Sequence, residues 1–600
     1  MSRERSAAGQ GPHGSVRTGG GPVASAAGPT RQRPGRVRLG LQRGLVSCLV
    51  ACLAFQPWLP LRAQGAAAPA LPALGDPASA VLPLGEERRL GERLMQQIWR
   101  SPIYLDDPVT LAYVQSLWER LIVTARARGD VAPELDDSFA WSLFLIRDRT
   151  LNAFALPGGH VGVHLGLLAV TRSADEFAAV LAHELTHVSQ RHIARGFATG
   201  QRQSALGTAA LLLGLLLAAR AGNPDVAQAA VAGSQAAMIQ GQLNFSREME
   251  READRIGAAI HAQAGFSPFG TAAMFDRLEQ AARLNDSGAL AYLRTHPLGS
   301  ERLADARARA ALLPPQPPVL TPMHALMQGR ARVLMEPSAQ HWQRLVAAAE
   351  SLPASAGGDA RNARAAVERL ADLYAAALAA SGLGEHAQAH ALAQALDEAA
   401  TLVSAAEPAV RTAIGWLHAE LAIARGDGPR ALTLLSSLNT PVQGQTSGPA
   451  SEAEFRARPG LLLKAAAALA AARPDALSGL VDRQQVDAPT LEALSDVRQA
   501  LQVWTAERTD DALAWEWLGR CAQALGLPLL AQRARAEQLA ATGDLDAAID
   551  RLLAAQAGAR GAARTDFIEA SIIDVRLRQL QAQRRQWADE LRRAGAPASR

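Results

Sequence analysis

The sequence predicts a mainly α-helical protein: an α+β domain with one small sheet, followed by an all-α solenoid of paired helices. Three observations carry this. Aromatic residues are only 4% of the chain, and Ala and Leu dominate its second half, a composition that favours helix over sheet. Within the first half, residues 139–146 (Phe-Ala-Trp-Ser-Leu-Phe-Leu-Ile) and Val161-Gly162-Val163 read as short strands between segments of helical apolar spacing. After Pro314-Pro315-Gln316-Pro317-Pro318, turn glycines followed by small residues recur between Ala/Leu-rich stretches. With 600 residues, the chain has room for about two to four domains.

The formal net charge of +4 is unevenly spread. Residues 1–63 hold nine Arg against one acidic residue, so the rest of the chain is mildly acidic, about −4. That balance offers no electrostatic basis for binding nucleic acid. Of the three cysteines, Cys48 and Cys52 lie in the N-terminal apolar run. Once that run is removed, Cys521 has no intramolecular partner, so disulfides do not hold this fold.

Residues 1–30 are rich in Gly, Ser, Ala and Pro, without periodicity, and are expected to be disordered. A basic stretch (31–43), an apolar stretch (45–61) and Leu61-Arg62-Ala63 follow, in the order of a secretory signal cleaved after Ala63. Its length suggests a true start nearer Val37, which N-terminal sequencing of the precursor would test. A second reading takes Leu49-Val50-Ala51-Cys52 as a lipoprotein box with Cys52 as lipid anchor; the apolar residues after Cys52 argue against it. Residues 64–84 read as an Ala/Pro linker. Helical spacing covers 85–99 and 107–128, the second with Asp107 as N-cap and Pro108 in its first turn. The strand at 139–146 and the run Asn152-Ala153-Phe154-Ala155-Leu156-Pro157-Gly158-Gly159, leading into Val161, make a small sheet with an edge just before the next helix. Free backbone groups on such an edge can hold a peptide extended.

Residues 175–189 form an apolar, Ala-rich helical segment that contains His183-Glu184-Leu185-Thr186-His187. One turn separates the two histidines, so both imidazoles leave the same face and can hold zinc with room for a third ligand and a water. Glu184 is placed to take a proton from that water. His160 and His164 lack ligand spacing and read as structural or rim residues. On a continuous helix His192 would point roughly 180° from His183 and 140° from His187, which makes it a capping or packing residue. The apolar run 205–219 is short of the ~20 residues needed to cross a bilayer, and reads as a lid or a membrane-facing loop. In the charged helix from Ser246 to Asp254, Glu250 and Asp254 share a face; one completes the metal site while the other receives a histidine N–H.

Together, His183-Glu184-x-x-His187, Glu250-x-x-Ala253-Asp254 and Asn152-Ala153-Phe154-Ala155 resemble the zinc metallopeptidases related to the CAAX prenyl protease and the heat-shock protease of bacterial inner membranes. The resemblance covers residues 85–310. It implies a gluzincin, zincin-type domain with one Zn2+ held by His183, His187 and Glu250, Glu184 as general base, and Asp254 behind the ligands. His296-Pro297-Leu298-x-x-x-Arg302 matches a downstream motif of the family, in which the histidine either closes the site as a fourth ligand or stabilises the oxyanion. Inner-membrane members carry several transmembrane helices, and this sequence has none after its leader. A secreted peptidase with helical repeats is similar instead to periplasmic members that combine proteolysis of stalled outer-membrane proteins with chaperone-like help to their assembly.

Beyond a Pro-rich linker (311–323), residues 324–594 read as degenerate tetratricopeptide-like hairpins. Trp515-x-x-Leu518-Gly519 with Gly526 and Ala531 fits that pattern. Leu383-Gly384 with Ala389, Gly426 with Ala431, and Gly543 with Ala548 echo its turn, small residues there allowing close helix approach. Cys521 reads as a packing residue and 578–593 as a polar final helix. The expectation is a periplasmic zinc endopeptidase acting on unfolded or stalled outer-membrane proteins, with its repeats engaging the outer-membrane assembly machinery and a peripheral membrane contact through 205–219. A chaperone or scaffold with secondary proteolysis is the alternative.

Overall fold

The computed structural model describes residues 77–199, 247–284, 292–293, 296–297, 299–312, 314, 321–351, 360–404, 407–438, 450–474, 479–482, 484–561 and 566–595. The leader, Cys48, Cys52, most of the 64–84 stretch, the 205–219 run and Leu298 lie outside the described residues. Within the expected linker, α1 (Pro77–Val81) is helical, with Ala78 fully buried.

The sheet sits between two helical layers. Its strands are β1 (Tyr104–Leu105), β2 (Ser142–Ile146), β3 (Ala153–Leu156) and β4 (His160–His164), in the order β1-β2-β4-β3. β2 and β4 are parallel, with Ser142 opposite His160 and Ile146 opposite His164; both outer pairs are antiparallel. Alternation along the strands decides which layer each residue meets. Phe144, Ile146 and Leu156 pack against Leu90, Leu94 and Met95 of α2 (Leu84–Trp99). Leu143, Leu145, Ala153, Ala155, Val161 and Val163 face the main core, shared with α3 (Pro108–Arg128). Asp107 caps α3 by accepting from the Thr110 amide at 2.8 Å, and Gly129, in the left-handed conformation, ends it. A short α4 (Pro133–Ser138) precedes β2, and α5 (Leu165–Val170) follows β4 directly; the sequence reading lacked both.

The helix expected at 175–189 is α6 (Ala174–Ser189), N-capped by Ser173 and buried from Asp175 to its end. It packs against edge strand β3 on one side and α8 (Arg247–Gln263) on the other. A Cβ at Gly257 of α8 would lie 3.0 Å from the Ala182 carbonyl oxygen and 3.2 Å from the His183 nitrogen, so glycine lets the two helices approach closely. After α6 come α7 (His192–Thr199) and, later, α9 (Phe269–Leu284) and α10 (Ser300–Ala311).

The array begins with α11 (Pro322–Leu334) and α12 (Ala339–Glu350), then α13 (Ala360–Gly382) and α14 (His386–Ser404), α15 (Pro408–Ala424) and α16 (Gly428–Leu438), and α17 (Ala450–Ala472) and α18 (Ala488–Glu507). It ends with α19 (Ala512–Ala524), α20 (Pro528–Ala541), α21 (Leu545–Gly561) and α22 (Phe567–Gly595). Gly384, Gly426, Gly526 and Gly543 turn the chain with φ between 71° and 80°. Around the first three, a Cβ would meet nothing within 4 Å. Backbone conformation rather than close approach therefore requires glycine there, which corrects the sequence reading; the buried Ala389, Ala431, Ala531 and Ala548 allow the helices to approach. Cys521 is buried in this packing. The final helix starts earlier than expected and buries Ile573, Leu577 and Leu580.

The core is continuous across the two halves. One cluster runs from Leu105 through the sheet and α6 to Ala467 of α17. The array also returns to the first domain: Arg458 pairs with both Asp106 and Asp511, and Arg100 donates to the Thr542 carbonyl at 3.3 Å. No helix among the described residues is long and apolar enough to cross a membrane.

Candidate metal centre

His183 and His187 project from α6 into the space between α8 and the segment carrying His296. Their Nε2 atoms are 3.0 Å apart. His296 Nδ1 lies 3.3 Å from His183 Nε2 and 2.8 Å from Glu250 Oε1. Glu250 oxygens stand 3.5 Å from each of the other two imidazole nitrogens. Ligand atoms of His183, His187, Glu250 and His296 all fall within 4.8 Å of one another, and all four residues are buried.

The surroundings show that these atoms suit a cation. His183 Nδ1 is 3.0 Å from Asp254 Oδ1, and a carboxylate only accepts, so the hydrogen of neutral His183 sits on Nδ1 and the Nε2 lone pair faces the cluster. Three imidazole nitrogens and one carboxylate oxygen form a donor set that suits four-coordinate zinc. Burial opposes charge on His183, but Asp254 and Glu250 outweigh it and raise its pKa, so with no cation in the cluster a proton occupies Nε2, the position a metal ion would take. Burial likewise opposes charge on Glu250, yet His296 and His183 keep its carboxyl well below the usual range. His187 is pushed down by burial, and further by His183 and His296.

The structure brings Glu250 to the cluster and puts Asp254 behind it. Asp254 holds His183 and takes a two-pronged pair from Arg302 at 2.6 and 2.8 Å, while Arg302 Nη1 also reaches Glu250 Oε2 at 2.9 Å. Glu184 is fully buried, 3.6 Å from His296 Nε2. Neither of its oxygens makes a well-formed hydrogen bond among the described residues. Burial raises its pKa, opposed by His296 and His183.

Other sequence candidates fall elsewhere. His160 meets the Ser142 hydroxyl at 2.6 Å and His164 meets Thr150 at 2.8 Å, both on the sheet and apart from the cluster. The reading of His192 needs correction. The helix is not continuous: α6 stops at Ser189, Arg191 adopts φ 51°, and His192 turns back so that its Nδ1 lies 2.9 Å from His187 Nδ1. No sequence signal marked a left-handed arginine. Tyr292, also missed, stacks on His296 with centroids 4.6 Å apart; only its position one turn before His296 hinted at this.

Residues 108–310 match the profile of Peptidase family M48. A Vibrio cholerae relative is 38% identical over 267 residues, covering 44% of this chain and 52% of its own. The beta-barrel assembly-enhancing protease of Escherichia coli (strain K12) is 34% identical over 275 residues, 46% of this chain and 54% of that protein. The mitochondrial metalloendopeptidase OMA1 of Schizosaccharomyces pombe is 34% identical over 199 residues, 33% of this chain and 51% of that protein. The chain thus spans about half the length of the curated relatives it matches. The matched stretch, residues 108–310, contains the buried His183, His187, Glu250 and His296, so the part of this chain that is similar to Peptidase family M48 is the part that holds a cluster able to bind one metal ion.

Proposed function

We propose that the protein is a periplasmic zinc endopeptidase that degrades unfolded or stalled outer-membrane proteins, and that its helical array engages their assembly machinery. The observation that carries the catalytic part is Glu184: a fully buried carboxylate without a well-formed hydrogen bond, next to two histidines whose lone pairs converge. His183, His187 and Glu250 would hold the metal. When bound, zinc polarises the scissile carbonyl and makes the attacking water more acidic. Glu184, buried beside the cluster, takes the proton from that water and then delivers it to the leaving amine. Asp254 fixes the hydrogen on His183 Nδ1 and is itself neutralised by Arg302. Edge strand β3 offers main-chain groups to an extended substrate, a recognition mode that reads backbone rather than folded shape. His296 fills the remaining corner of the cluster and keeps the resting site closed.

The periplasmic location rests on the leader and on relatives named for β-barrel assembly. The 205–219 run supplies a peripheral membrane contact in this reading. A chaperone or scaffold role has its own support: a cavity of about 680 Å³ in the array, lined by Trp515, Trp517, Arg520 and Arg535, is large enough for a peptide segment. The test is cleavage of a urea-unfolded outer-membrane protein by the full chain beside Glu184→Gln. Cleavage by the wild type alone supports the peptidase. Suppressed aggregation by both, with cleavage by neither, supports the chaperone.

A further inference from the structure

Behind His187 runs a chain of side chains with no part in the reaction as described. His187 Nε2 faces the cluster, while its Nδ1 meets His192 Nδ1 at 2.9 Å. His192 Nε2 then meets Glu252 Oε2 at 3.2 Å, and the same oxygen accepts from Arg195 at 2.8 Å. Counting hydrogens fixes the order. Glu252 can only accept, so His192 carries its hydrogen on Nε2. The bare Nδ1 of neutral His192 then accepts from Nδ1–H of His187, which leaves the His187 lone pair on Nε2, facing His183 and Glu250. Reversing the chain would put one hydrogen on His192 Nδ1 and the other on His187 Nε2, leaving the Glu252 carboxylate facing the bare Nε2 of His192.

We infer that His192 is a positioning residue: with Glu252 behind it, it sets the tautomer and ring plane of His187 for zinc. His183 is held by a carboxylate directly; His187 is held by a carboxylate through a second imidazole.

The backbone supports this assignment independently. Arg191 is one of three described non-glycine residues in the left-handed region, and such strain persists only where surroundings enforce it. Here they do. Its guanidinium is gripped by Glu87 at 2.9 and 3.1 Å, by the Ser79 hydroxyl and by the Leu82 carbonyl at 2.7 Å. An α-helix continued through this point would carry His192 to the far side of the helix; the clamped turn returns it to His187. The helices α1 and α2 therefore contribute to the metal site without touching it.

This inference rests on the zinc reading of the cluster, and the test separates the two. Zinc affinity of the full chain is measured by competition with a chromophoric chelator, for wild type, His192→Ala, His192→Asn and Glu252→Ala, with the visible spectrum of each cobalt(II)-substituted protein as a second readout. His192→Ala should bind zinc about 10- to 100-fold more weakly and shift the cobalt bands. His192→Asn, whose Oδ1 replaces Nδ1 as acceptor, should recover most of both. Glu252→Ala, at a partly exposed position, should lose affinity in the same direction and gives a readout even if His192→Ala fails to fold. Unchanged affinity and spectra in His192→Ala or, if that variant does not fold, in Glu252→Ala would overturn the inference. Equal losses in the Ala and Asn variants would also overturn it, because a merely space-filling role does not distinguish an acceptor. Absence of zinc binding by the wild type would overturn the zinc reading itself.

Discussion

Arg330 grips Asp107 with two bonds, 2.8 Å from Nε and 2.6 Å from Nη2, in the buried seam between the peptidase domain and the array. Asp107 is the N-cap of α3, and Arg330 belongs to α11, the first helix of the array. The same guanidinium pairs with Glu420 of α15 at 2.7 Å and reaches the Tyr374 hydroxyl at 3.1 Å. One side chain therefore ties helix initiation in the first domain to three helices of the second. Removing it would leave two carboxylates uncompensated, one of them deeply buried. Arg330→Met is expected to destabilise the protein by about 3–5 kcal/mol. In chemical denaturation, both halves should lose structure in one transition at lower denaturant; an unchanged midpoint would contradict this.

His324, on the same helix, makes the seam sensitive to acid. It meets the Tyr113 hydroxyl at 2.7 Å and Thr171 at 3.1–3.2 Å, and burial pushes its pKa down to about 4. An unfolded histidine titrates near 6.5. As pH falls below that value the unfolded chain takes up the proton first, so stability is complete above about pH 6.5 and declines down to about pH 4. The contribution is on the order of 3 kcal/mol. His324→Gln should lower the melting temperature at pH 7.5 yet show a shallower decline between pH 6.5 and 4. A slope equal to that of the wild type would exclude His324 as a source of the acid sensitivity.

The turn glycines of the array permit a cleaner substitution. Gly384 and Gly426 have φ of 79° and 80° and open space where a Cβ would go. Gly→Ala at either should cost about 1 kcal/mol through backbone strain alone, and Gly→Asn should cost less. Thermal melts of the four variants check the order.

Much of this was legible because the chemistry and the periodicity lie in local spacing. His183 and His187 share a helix face by their separation, and Glu250 and Asp254 do so again, so the cluster followed once the two helices were paired. Which acid entered the cluster was not legible from spacing alone; Gly257 at the crossing of α8 with α6, and Arg302 across from Asp254, decide it in three dimensions. His192 was misread because periodicity assumes a continuous helix, and the turn at Arg191 is enforced by Glu87 and Ser79, more than a hundred residues earlier. The seam around Arg330 was equally hidden: its partners are 223 and 90 residues away. A Pro-rich stretch before α11 suggested separate domains, whereas Leu105 to Ala467 share one core.

In this mechanism His187 helps hold zinc while Glu184 moves the proton. Zinc content and cleavage of an unfolded outer-membrane protein, measured together on wild type, Glu184→Gln and His187→Ala, test it most directly. The wild type should hold about one zinc and cleave, Glu184→Gln should hold the same zinc without cleaving, and His187→Ala should lose both. Cleavage by Glu184→Gln at the wild-type rate would contradict the mechanism.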